Sequence, residues 1–220
     1  MCGRYTLSAT PEAVAGHFNL SGVEPLQPRY NIAPSQLVAV IGLKPDGARR
    51  GLVRLKWGIV PHWENDPDKG FKPINARSET ILTKPFFRDA FKSRRCLIPA
   101  DGFYEWMADG KKKRPHHIRL KGSGLMGFAG LWDRWTDGTR TLLSCCLITC
   151  APNELVKPIH DRMPVILDPM DYADWLNPEM PVDDLLGLLT PYPADQMEMV
   201  AVGSAVGSPK NDGPECLQAA

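Results

Sequence analysis

Short apolar runs separated by turn residues make up most of the chain, a pattern typical of a strand-rich protein. The run from residue 141 to residue 150 is nearly all apolar, which predicts a strand buried on both faces. The other apolar runs are shorter and end at turn residues. Strands are accordingly predicted over residues 4–7, 36–43, 51–57, 96–99, 101–107, 115–120, 127–132, 141–150, 165–167 and 197–202. The sequence Pro45-Asp46-Gly47 predicts a hairpin turn between the second and third of these.

Capping residues indicate where helices begin. Thr10 followed by Pro11 predicts an N-cap and a first helical residue, with the helix reaching residue 20. Asp168 is predicted to cap a helix that continues to residue 176. The remaining predicted helices cover residues 84–94 and residues 152–156.

Other segments show neither the alternation of a strand nor the periodicity of a helix, and they are predicted to be irregular. Residues 29–34 belong to this group, because Pro34 forces Ala33 into an extended conformation and ends any strand there. Residues 58–73 and the tail after about residue 211 are predicted to be loops.

Composition narrows the fold class to α+β. The 220 residues are 43% hydrophobic and 23% charged, which is typical of a globular protein with one sizeable core. The 21 prolines and 19 glycines favour many turns over a helical bundle. We therefore predict a single domain over residues 1–220, with no internal repeat or linker.

Charge and cysteine content restrict the partners and the compartment. The formal net charge is +1, so binding to a polyanion would require a local basic patch. Six cysteines occur without a secretion signal, which predicts a reduced, cytoplasmic protein. Cys145, Cys146 and Cys150 lie in an apolar run without metal-ligand spacing and are predicted to be buried strand residues; we expect no metal and no cofactor. No apolar run reaches the ~20 residues of a membrane span, so we expect no membrane association.

The first candidate for chemistry is Cys2, directly after Met1. Removal of Met1 would give Cys2 a free α-amine on the carbon next to the one that carries its thiol, with ordinary pKa values of ~7.7–8.0 for the amine and ~8.5 for the thiol. Such an aminothiol can form a Schiff base with an aldehyde and then close to a thiazolidine ring. It can also attack an amide, as N-terminal nucleophile hydrolases do. A purely structural second residue is the competing interpretation.

Three further segments carry candidate residues. Asn75 and Arg77 are two residues apart, so an extended segment would place an amide and a guanidinium on one face. Glu105 lies among aromatic residues, which predicts either a desolvated carboxylate with a raised pKa or a carboxylate that faces water. His160, between two prolines, has the side chain best suited to proton transfer at neutral pH, although a single histidine is commonly structural.

Two surface features suggest contacts with nucleic acid. Trp63 and Phe71 lie in the polar loop 58–73, where exposed aromatic rings can stack on unpaired bases or instead cover a sheet. Residues 111–114 form a basic run at a predicted hairpin tip; such runs are usually solvated, but they can extend a polyanion-binding surface.

Taken together, the motifs resemble the SRAP (SOS response-associated peptidase) family. The resemblance runs from Cys2 to about Asn211 in six collinear segments, which are residues 1–5, 29–34, 57–58, 74–80, 95–106 and 159–164. It implies one mixed α/β domain with curved, mostly antiparallel β-sheets that resemble an open barrel, surrounded by short peripheral helices. It also implies a protein that crosslinks itself to abasic sites in single-stranded DNA, with autoproteolysis at Cys2 and AP-lyase as further activities.

The resemblance also implies roles for individual residues. Cys2 would form the thiazolidine, Asn75 would hold the sugar, Glu105 would act as general acid and base, and His160 would shuttle protons. The implied DNA-binding residues are Arg4, Asn31, Pro34, Trp63, Arg77, Thr149 and Arg162. We expect a monomer whose partner is single-stranded DNA with abasic sites, associated with the nucleoid in a bacterium or with the nucleus in a eukaryote.

Two other functions remain open at this point. The same N-terminus is typical of an N-terminal nucleophile glutamine amidohydrolase, which would use glutamine in place of an aldehyde. A non-covalent single-strand binder would retain all its function without the Cys2 thiol.

Overall fold

Two β-sheets that share one hydrophobic core form the framework of the protein, in a computed structural model that describes residues 2–44, 47, 49–110 and 112–220. The strands are β1 Tyr5–Leu7, β2 Arg29–Ile32, β3 Leu37–Leu43, β4 Arg50–Trp57, β5 Asn75–Arg77, β6 Arg95–Ala100, β7 Gly102–Asp109, β8 Lys112–Leu120, β9 Met126–Thr136, β10 Thr141–Cys150, β11 Met163–Pro164, β12 Ile166–Leu167 and β13 Met197–Ala201. The α-helices are α1 Pro11–Phe18, α2 Pro85–Ser93, α3 Tyr172–Leu176 and α4 Val182–Gly187. Short 3-10 helices occur at Ser78–Thr80, Pro169–Asp171, Ala194–Gln196, Ser204–Gly207 and Pro214–Leu217.

The smaller sheet is antiparallel, with the strand order β13-β8-β7-β1-β2. The larger sheet has the order β11-β10-β4-β3-β6-β9-β12, and β5 pairs in parallel with β10. Because β9 also pairs with β10, the strands β10, β4, β3, β6 and β9 close into a barrel. The predicted α+β class with mostly antiparallel sheets is confirmed. The β9–β10 pairing is a local hairpin, whereas the pairings of β4 with β10 and of β3 with β6 join strands far apart in the chain, and the strand pattern alone does not contain them.

Aromatic residues hold the smaller sheet against the barrel. The rings of Tyr5 and Trp57 lie 5.3 Å apart, and those of Phe103 and Phe128 lie 6.2 Å apart. All four side chains are almost completely buried. Burying such side chains stabilises a fold by roughly 1.5–3 kcal/mol each, so β1 is held firmly, and with it the segment that leads back to Cys2.

Local sequence signals set α1 as predicted. The hydroxyl of Thr10 accepts a hydrogen bond from the backbone N–H of Ala13, and Pro11 is the first helical residue. The helix ends at Phe18, two residues earlier than predicted, because Asn19 adopts a left-handed conformation with φ of 53°.

The predicted helix at residues 152–156 is wrong, since this segment forms turns. The side-chain oxygen of Asn153 accepts hydrogen bonds from the backbone N–H groups of Leu155 and Val156, at 3.1 and 3.0 Å. Such an asparagine turn competes with helical hydrogen bonding, and Pro158 prevents the helix from continuing.

Residues 29–34 were predicted to be irregular, but Arg29–Ile32 form β2. The strand exists because it pairs antiparallel with β1, and the carboxylate of Asp212 in the C-terminal segment accepts further hydrogen bonds from the backbone N–H groups of Tyr30 and Asn31, both at 2.7 Å. The same carboxylate also pairs with the side chain of Arg29. The tail is therefore not a simple loop, and its Pro214–Leu217 3-10 helix buries Cys216.

The other predicted helices and strands are present with small shifts of their ends. The predicted hairpin joins β3 to β4 as an antiparallel pair, but Pro45 and Asp46 of its turn lie outside the described residues. Cys145, Cys146 and Cys150 are free and buried in β10, as predicted. Within the described ranges, no helix combines the length and the apolar character that crossing a bilayer requires.

Candidate active site

The N-terminal segment places Cys2 beside β7. Tyr5 pairs with Phe103 across the antiparallel strands, and the backbone N–H of Tyr104 donates to the carbonyl of Arg4 at 3.0 Å. Continuing this register brings Cys2 and Gly3 alongside Glu105. Cys2 is completely buried, so its position is set by packing and is not that of a frayed terminus.

Asn75 holds the backbone of Cys2. It starts β5, which is aligned by parallel pairing with Leu147 of the central strand β10. The side-chain amide of Asn75 donates to the carbonyl of Cys2 at 3.0 Å, which fixes the orientation of the amide group. Its side-chain oxygen is buried and has no hydrogen-bond partner among the described residues. An unsatisfied buried acceptor is costly, so this oxygen is available for a ligand or for a terminal amine.

Glu105 is a buried carboxylate, 4% exposed, on a strand whose neighbouring residues are aromatic. Of the two interpretations that the sequence left open, the structure supports the desolvated one. Burial raises the pKa of Glu105 from 4.5 to about 7, because the charged form loses solvation in this position. At neutral pH the carboxyl group can therefore either donate or accept a proton.

His160 faces Glu105. The Nε2 atom of His160 lies 4.0 Å from Oε2 of Glu105. On the other side of the ring, the backbone N–H of Arg162 donates to Nδ1 at 2.9 Å. Nδ1 also lies 3.1 Å from two acceptors, the carbonyl of Arg162 and Oδ1 of Asp161, so its contacts fit either neutral tautomer. Burial lowers the pKa of His160, which favours the neutral ring at pH 7.

The environment of Cys2 keeps its thiol protonated. Burial, and then the negative charge of Glu105, raise the pKa of the thiol. A protonated thiol is a poor nucleophile until a base removes its proton, and Glu105 is close enough to influence that proton electrostatically. The free amine of Cys2 requires removal of Met1, which lies outside the described residues.

The structure thus brings Cys2, Asn75, Glu105 and His160 into one cluster, although they lie on four separate segments of the chain. Within the described residues, no group of three or more histidine, cysteine, aspartate or glutamate side chains is arranged to hold a metal ion. Two cavities of about 560 and 500 Å³ lie elsewhere, one beside α1 and α3 and the other at an end of the barrel. The candidate site is therefore defined by side-chain convergence and not by cavity size.

Three of the predicted DNA-binding residues are accessible to a ligand. Arg77 is exposed at the end of β5, close in sequence to Asn75. Trp63 is 45% exposed, and its ring packs edge-on against Phe86 with 5.3 Å between centroids. Pro34 is half-buried next to Ser35, a residue with a positive φ of 69°. Their contacts with DNA remain predictions.

Arg4 and Asn31 make contacts within the protein instead. Asn31 is completely buried, and its amide donates to the carbonyls of Ser208 and Asn211 at 2.9 and 2.8 Å. One guanidinium nitrogen of Arg4 donates to the side-chain oxygen of Asn31 at 2.7 Å and to the carbonyl of Val206 at 2.9 Å. Any effect of Asn31 on DNA would therefore have to act through its neighbours.

Arg162 and Thr149 are also engaged within the fold. The guanidinium of Arg162 forms a bidentate ion pair with Glu79, at 2.6 and 2.8 Å, and donates to the carbonyl of Thr149 at 2.6 Å. Thr149 itself is 1% exposed. The hydrogen bond from Arg162 lowers the pKa of Glu79, which keeps the pair charged. This pair fixes the loop that carries His160.

Sequence reasoning missed the acidic residues that bind Arg162 and the backbone of Asn31. Glu79 lies in the segment 74–80 that carried the family resemblance, and Asp212 lies in the tail that was predicted to be a loop. An acidic residue inside a motif that already contains an arginine was the available signal for Glu79. No local signal pointed to Asp212, because its partner Asn31 is 181 positions away in the chain.

Replacing Glu105 by glutamine should stabilise the folded protein above neutral pH. Because the pKa of Glu105 is about 7 in the folded state and near 4.5 when unfolded, the folded state retains the proton between these values, and stability falls as pH rises through this window. The uncharged glutamine avoids this loss. We expect the variant to gain up to about 3 kcal/mol in unfolding free energy at pH 8, and little at pH 4.5. Urea unfolding at both pH values measures the difference.

The matched control for this experiment is Glu154→Gln, at a glutamate whose side chain is 84% exposed. It should leave stability unchanged at both pH values. An equal effect of Glu105→Gln at pH 4.5 and pH 8 would contradict a raised pKa.

Comparisons with known proteins show the family to which the chain belongs. The fold and the cluster define a protein that holds a cysteine near the start of its chain against an amide, a buried carboxyl group and a histidine. The sequence profile of the SOS response associated peptidase (SRAP) family matches residues 1–209. The chain belongs to the SRAP family.

Relatives and solved structures extend over the whole chain. The protein is 46% identical over 224 residues to the abasic site processing protein YoqW of Bacillus subtilis, covering 99% of both chains. It is 34% identical to the abasic site processing protein HMCES of Xenopus tropicalis, covering 88% of this chain and 66% of that protein. A crystal structure of a protein from Bacteroides thetaiotaomicron superimposes with a TM-score of 0.88 at 25% identity, and each chain is covered completely.

Proposed function

We propose that this protein processes abasic sites in single-stranded DNA by linking its Cys2 covalently to the opened sugar. The observation that carries the proposal is the contact of Cys2 with Asn75, in a cluster that also contains a buried carboxyl group of raised pKa. The names of relatives similar over nearly the full chain, which are abasic site processing proteins, support the choice of substrate.

The chemistry begins with the Cys2 amine. The abasic deoxyribose opens to an aldehyde at C1′, and the amine attacks this carbon; loss of water gives a Schiff base. The thiol then adds across the C=N bond. Its sulfur bonds to C1′, its proton moves to the nitrogen, and a five-membered thiazolidine ring closes. No oxidant or reductant is needed.

The raised pKa of the thiol sets the order of these steps. Because burial keeps the Cys2 thiol protonated, the amine is the first nucleophile, and the sulfur acts once the Schiff base has formed. Glu105 is the group that assists proton transfer, first to the sugar oxygen as the ring opens and then from the thiol as the sulfur attacks. Each such transfer contributes roughly 10²–10⁴-fold to the rate.

His160 and Asn75 position these groups. The Nε2 atom of His160 lies 4.0 Å from Oε2 of Glu105, so the ring can exchange a proton with that carboxyl group within each cycle. The side-chain oxygen of Asn75, which has no hydrogen-bond partner among the described residues, accepts a hydrogen bond from the freed Cys2 amine or from a sugar hydroxyl.

Two further activities follow from the same cluster. Hydrolysis of the bond between Met1 and Cys2 would free the amine, with Glu105 as the base that activates the Cys2 thiol. A Schiff base that does not cyclise can lose a proton from C2′ and release the 3′ phosphate, which is AP-lyase chemistry. Removal of Met1 would supply the amine that crosslinking needs, whereas AP-lyase cleavage would compete with crosslinking at the same site.

Single-stranded DNA is the expected form of the substrate. Arg77 is an exposed cation near Asn75, and Trp63 offers an exposed ring for base stacking. A base opposite the lesion in a duplex would oppose entry of the sugar into a buried cluster.

The test is to mix the protein with single-stranded DNA that carries one abasic site and to analyse the product on a denaturing gel after heating. We expect a heat-stable adduct whose peptide mass shows Cys2 without Met1 joined to the sugar. The same oligonucleotide without the lesion and a duplex with the lesion serve as controls, and both should give little adduct. Labelling of Cys2 by a glutamine analogue, with no adduct on abasic DNA, would favour an amidohydrolase and overturn the proposal.

A further inference from the structure

The hairpin of β7 and β8 extends well beyond the candidate active site. Its antiparallel pairing is continuous from Phe103 and Ile118, through Glu105 and His116, to Asp109 and Lys112. Asp109, the last residue of β7, is the fourth residue after Glu105, which corresponds to about 13 Å at the usual rise of a strand. The tip is therefore carried on a paired, ordered ribbon that starts at the catalytic cluster.

The outer end of this ribbon is basic. Lys112, Lys113 and Arg114 are all exposed. Arg114 pairs with Asp109 across the hairpin at 2.7 Å. Lys112 and Lys113 make no ion pair with any of the described residues. Lys112 and Lys113 project from opposite faces of the hairpin, and together they make its outer end a local basic patch in a chain with a net charge of only +1.

This patch acts electrostatically on the active site. After burial and closer groups, the positive charge of Lys113 contributes to lowering the pKa of both Glu105 and His160. Side chains alternate along a strand, so Lys112, which pairs with Asp109, lies on the face of the hairpin that carries Glu105, whereas Lys113 pairs with Ala108 and projects from the opposite face. A ligand that reaches Glu105 from solvent along the hairpin would pass close to this basic outer end.

We propose that Lys112 and Lys113 form a phosphate-binding arm that holds the backbone of single-stranded DNA on one side of the abasic nucleotide. This inference rests on the proposed function and names a surface that positions its substrate. A distance of about 13 Å spans only a few phosphates of a nucleic acid strand, so the arm contacts the phosphates next to the lesion. Lysines on a paired ribbon lose less entropy on binding than lysines on a free loop would.

The first test measures non-covalent binding of wild-type protein to undamaged single-stranded DNA, which offers no aldehyde for crosslinking. Each phosphate contact contributes about 0.7 to the slope of log affinity against log salt, so Lys112→Gln with Lys113→Gln should reduce the slope by about 1.4. Between 50 and 200 mM salt, the wild type should then lose about sevenfold more affinity than the double variant. A double variant with the same salt slope as the wild type would overturn the proposal of a phosphate-binding arm.

The matched control is Lys121→Gln, at an exposed lysine just beyond the opposite end of β8. It changes the net charge but lies far from the patch, so it should leave the slope unchanged. If Lys121→Gln reduced the salt slope by half as much as the double variant does, which is the same reduction for each lysine, overall charge and not the arm would determine binding.

The second test locates the contact. Crosslinking rates at low DNA concentration are compared on two oligonucleotides, one with the abasic site at its 5′ end and one with the site at its 3′ end. The double variant should slow the reaction on only one of them, and equal slowing on both would overturn a one-sided arm. Failure of the wild type to crosslink either oligonucleotide would sink the proposed function, whereas the salt slope tests the arm separately.

Discussion

Replacing Cys2 by alanine should abolish the heat-stable adduct with abasic single-stranded DNA. The substitution removes the sulfur that closes the thiazolidine. Once mass spectrometry has verified that Met1 is absent from the variant, residue 2 still has a free amine, so a Schiff base can form but is hydrolysed on heating. The expected loss is complete on a denaturing gel. Cys216→Ala is the matched control, because it removes a buried thiol far along the chain from the cluster and should keep the adduct.

A serine at position 2 separates the roles of the amine and the sulfur. Cys2→Ser keeps an amine and a small polar side chain, so borohydride reduction during the reaction should trap a stable amine-linked product. Without borohydride, no heat-stable adduct should survive. A heat-stable adduct with Cys2→Ala in the absence of borohydride would show that another residue reacts, and the account of Cys2 given above would be abandoned.

Replacing Glu105 by glutamine should slow crosslink formation by roughly 10²–10⁴-fold at neutral pH. Glutamine preserves the shape of the side chain but cannot accept or release a proton. The rate is measured by quenching the reaction of protein and abasic DNA at successive times. Because the thiol of Cys2 is held protonated by burial, the sulfur step is the one that should suffer most.

The pH profile provides the control for a specific catalytic effect. The wild-type rate should change slope near pH 7, where Glu105 titrates, and the Glu105→Gln profile should lack this inflection. Non-covalent affinity for undamaged DNA should be similar in both proteins. A glutamine variant that keeps the inflection would assign it to another group, and an unchanged rate would remove Glu105 from the mechanism.

The combination of a slower reaction with a more stable protein would be informative. Glu105→Gln is expected to raise stability above neutral pH because the buried carboxylate is costly in its charged form. Active sites commonly retain groups that function needs and that stability does not favour. Loss of both rate and stability would instead indicate a structural role for Glu105.

Much of the local structure could be predicted from the sequence. The apolar run of β10 predicted a buried strand, and Thr10 with Pro11 predicted the start of α1, because these signals act on neighbouring residues. The asparagine turn at Asn153 shows the limit of such reasoning, since a single side chain redirected a segment with helical spacing.

Long-range contacts account for the remaining differences. Arg162 and Asn31 have the residue types of ligand-binding groups, yet Arg162 pairs with Glu79, and Asn31 holds the C-terminal segment. Their partners lie 83 and 177 positions away, so only the folded chain shows that these side chains are already occupied. The same reason explains the closure of the barrel, because β4 pairs with β10 and β3 pairs with β6 across long stretches of chain, which depends on how the whole sheet curls.

By itself, the sequence determined the strand-rich α+β class and the family resemblance, and it predicted aminothiol chemistry for Cys2, because each depends on residue identity and local order. Only the tertiary structure decided that Glu105 is buried with a raised pKa and that Asn75 holds Cys2 while keeping an acceptor without a partner. Solvation and hydrogen bonding depend on the groups that surround a side chain. In this protein, those groups come from segments that are distant in the sequence.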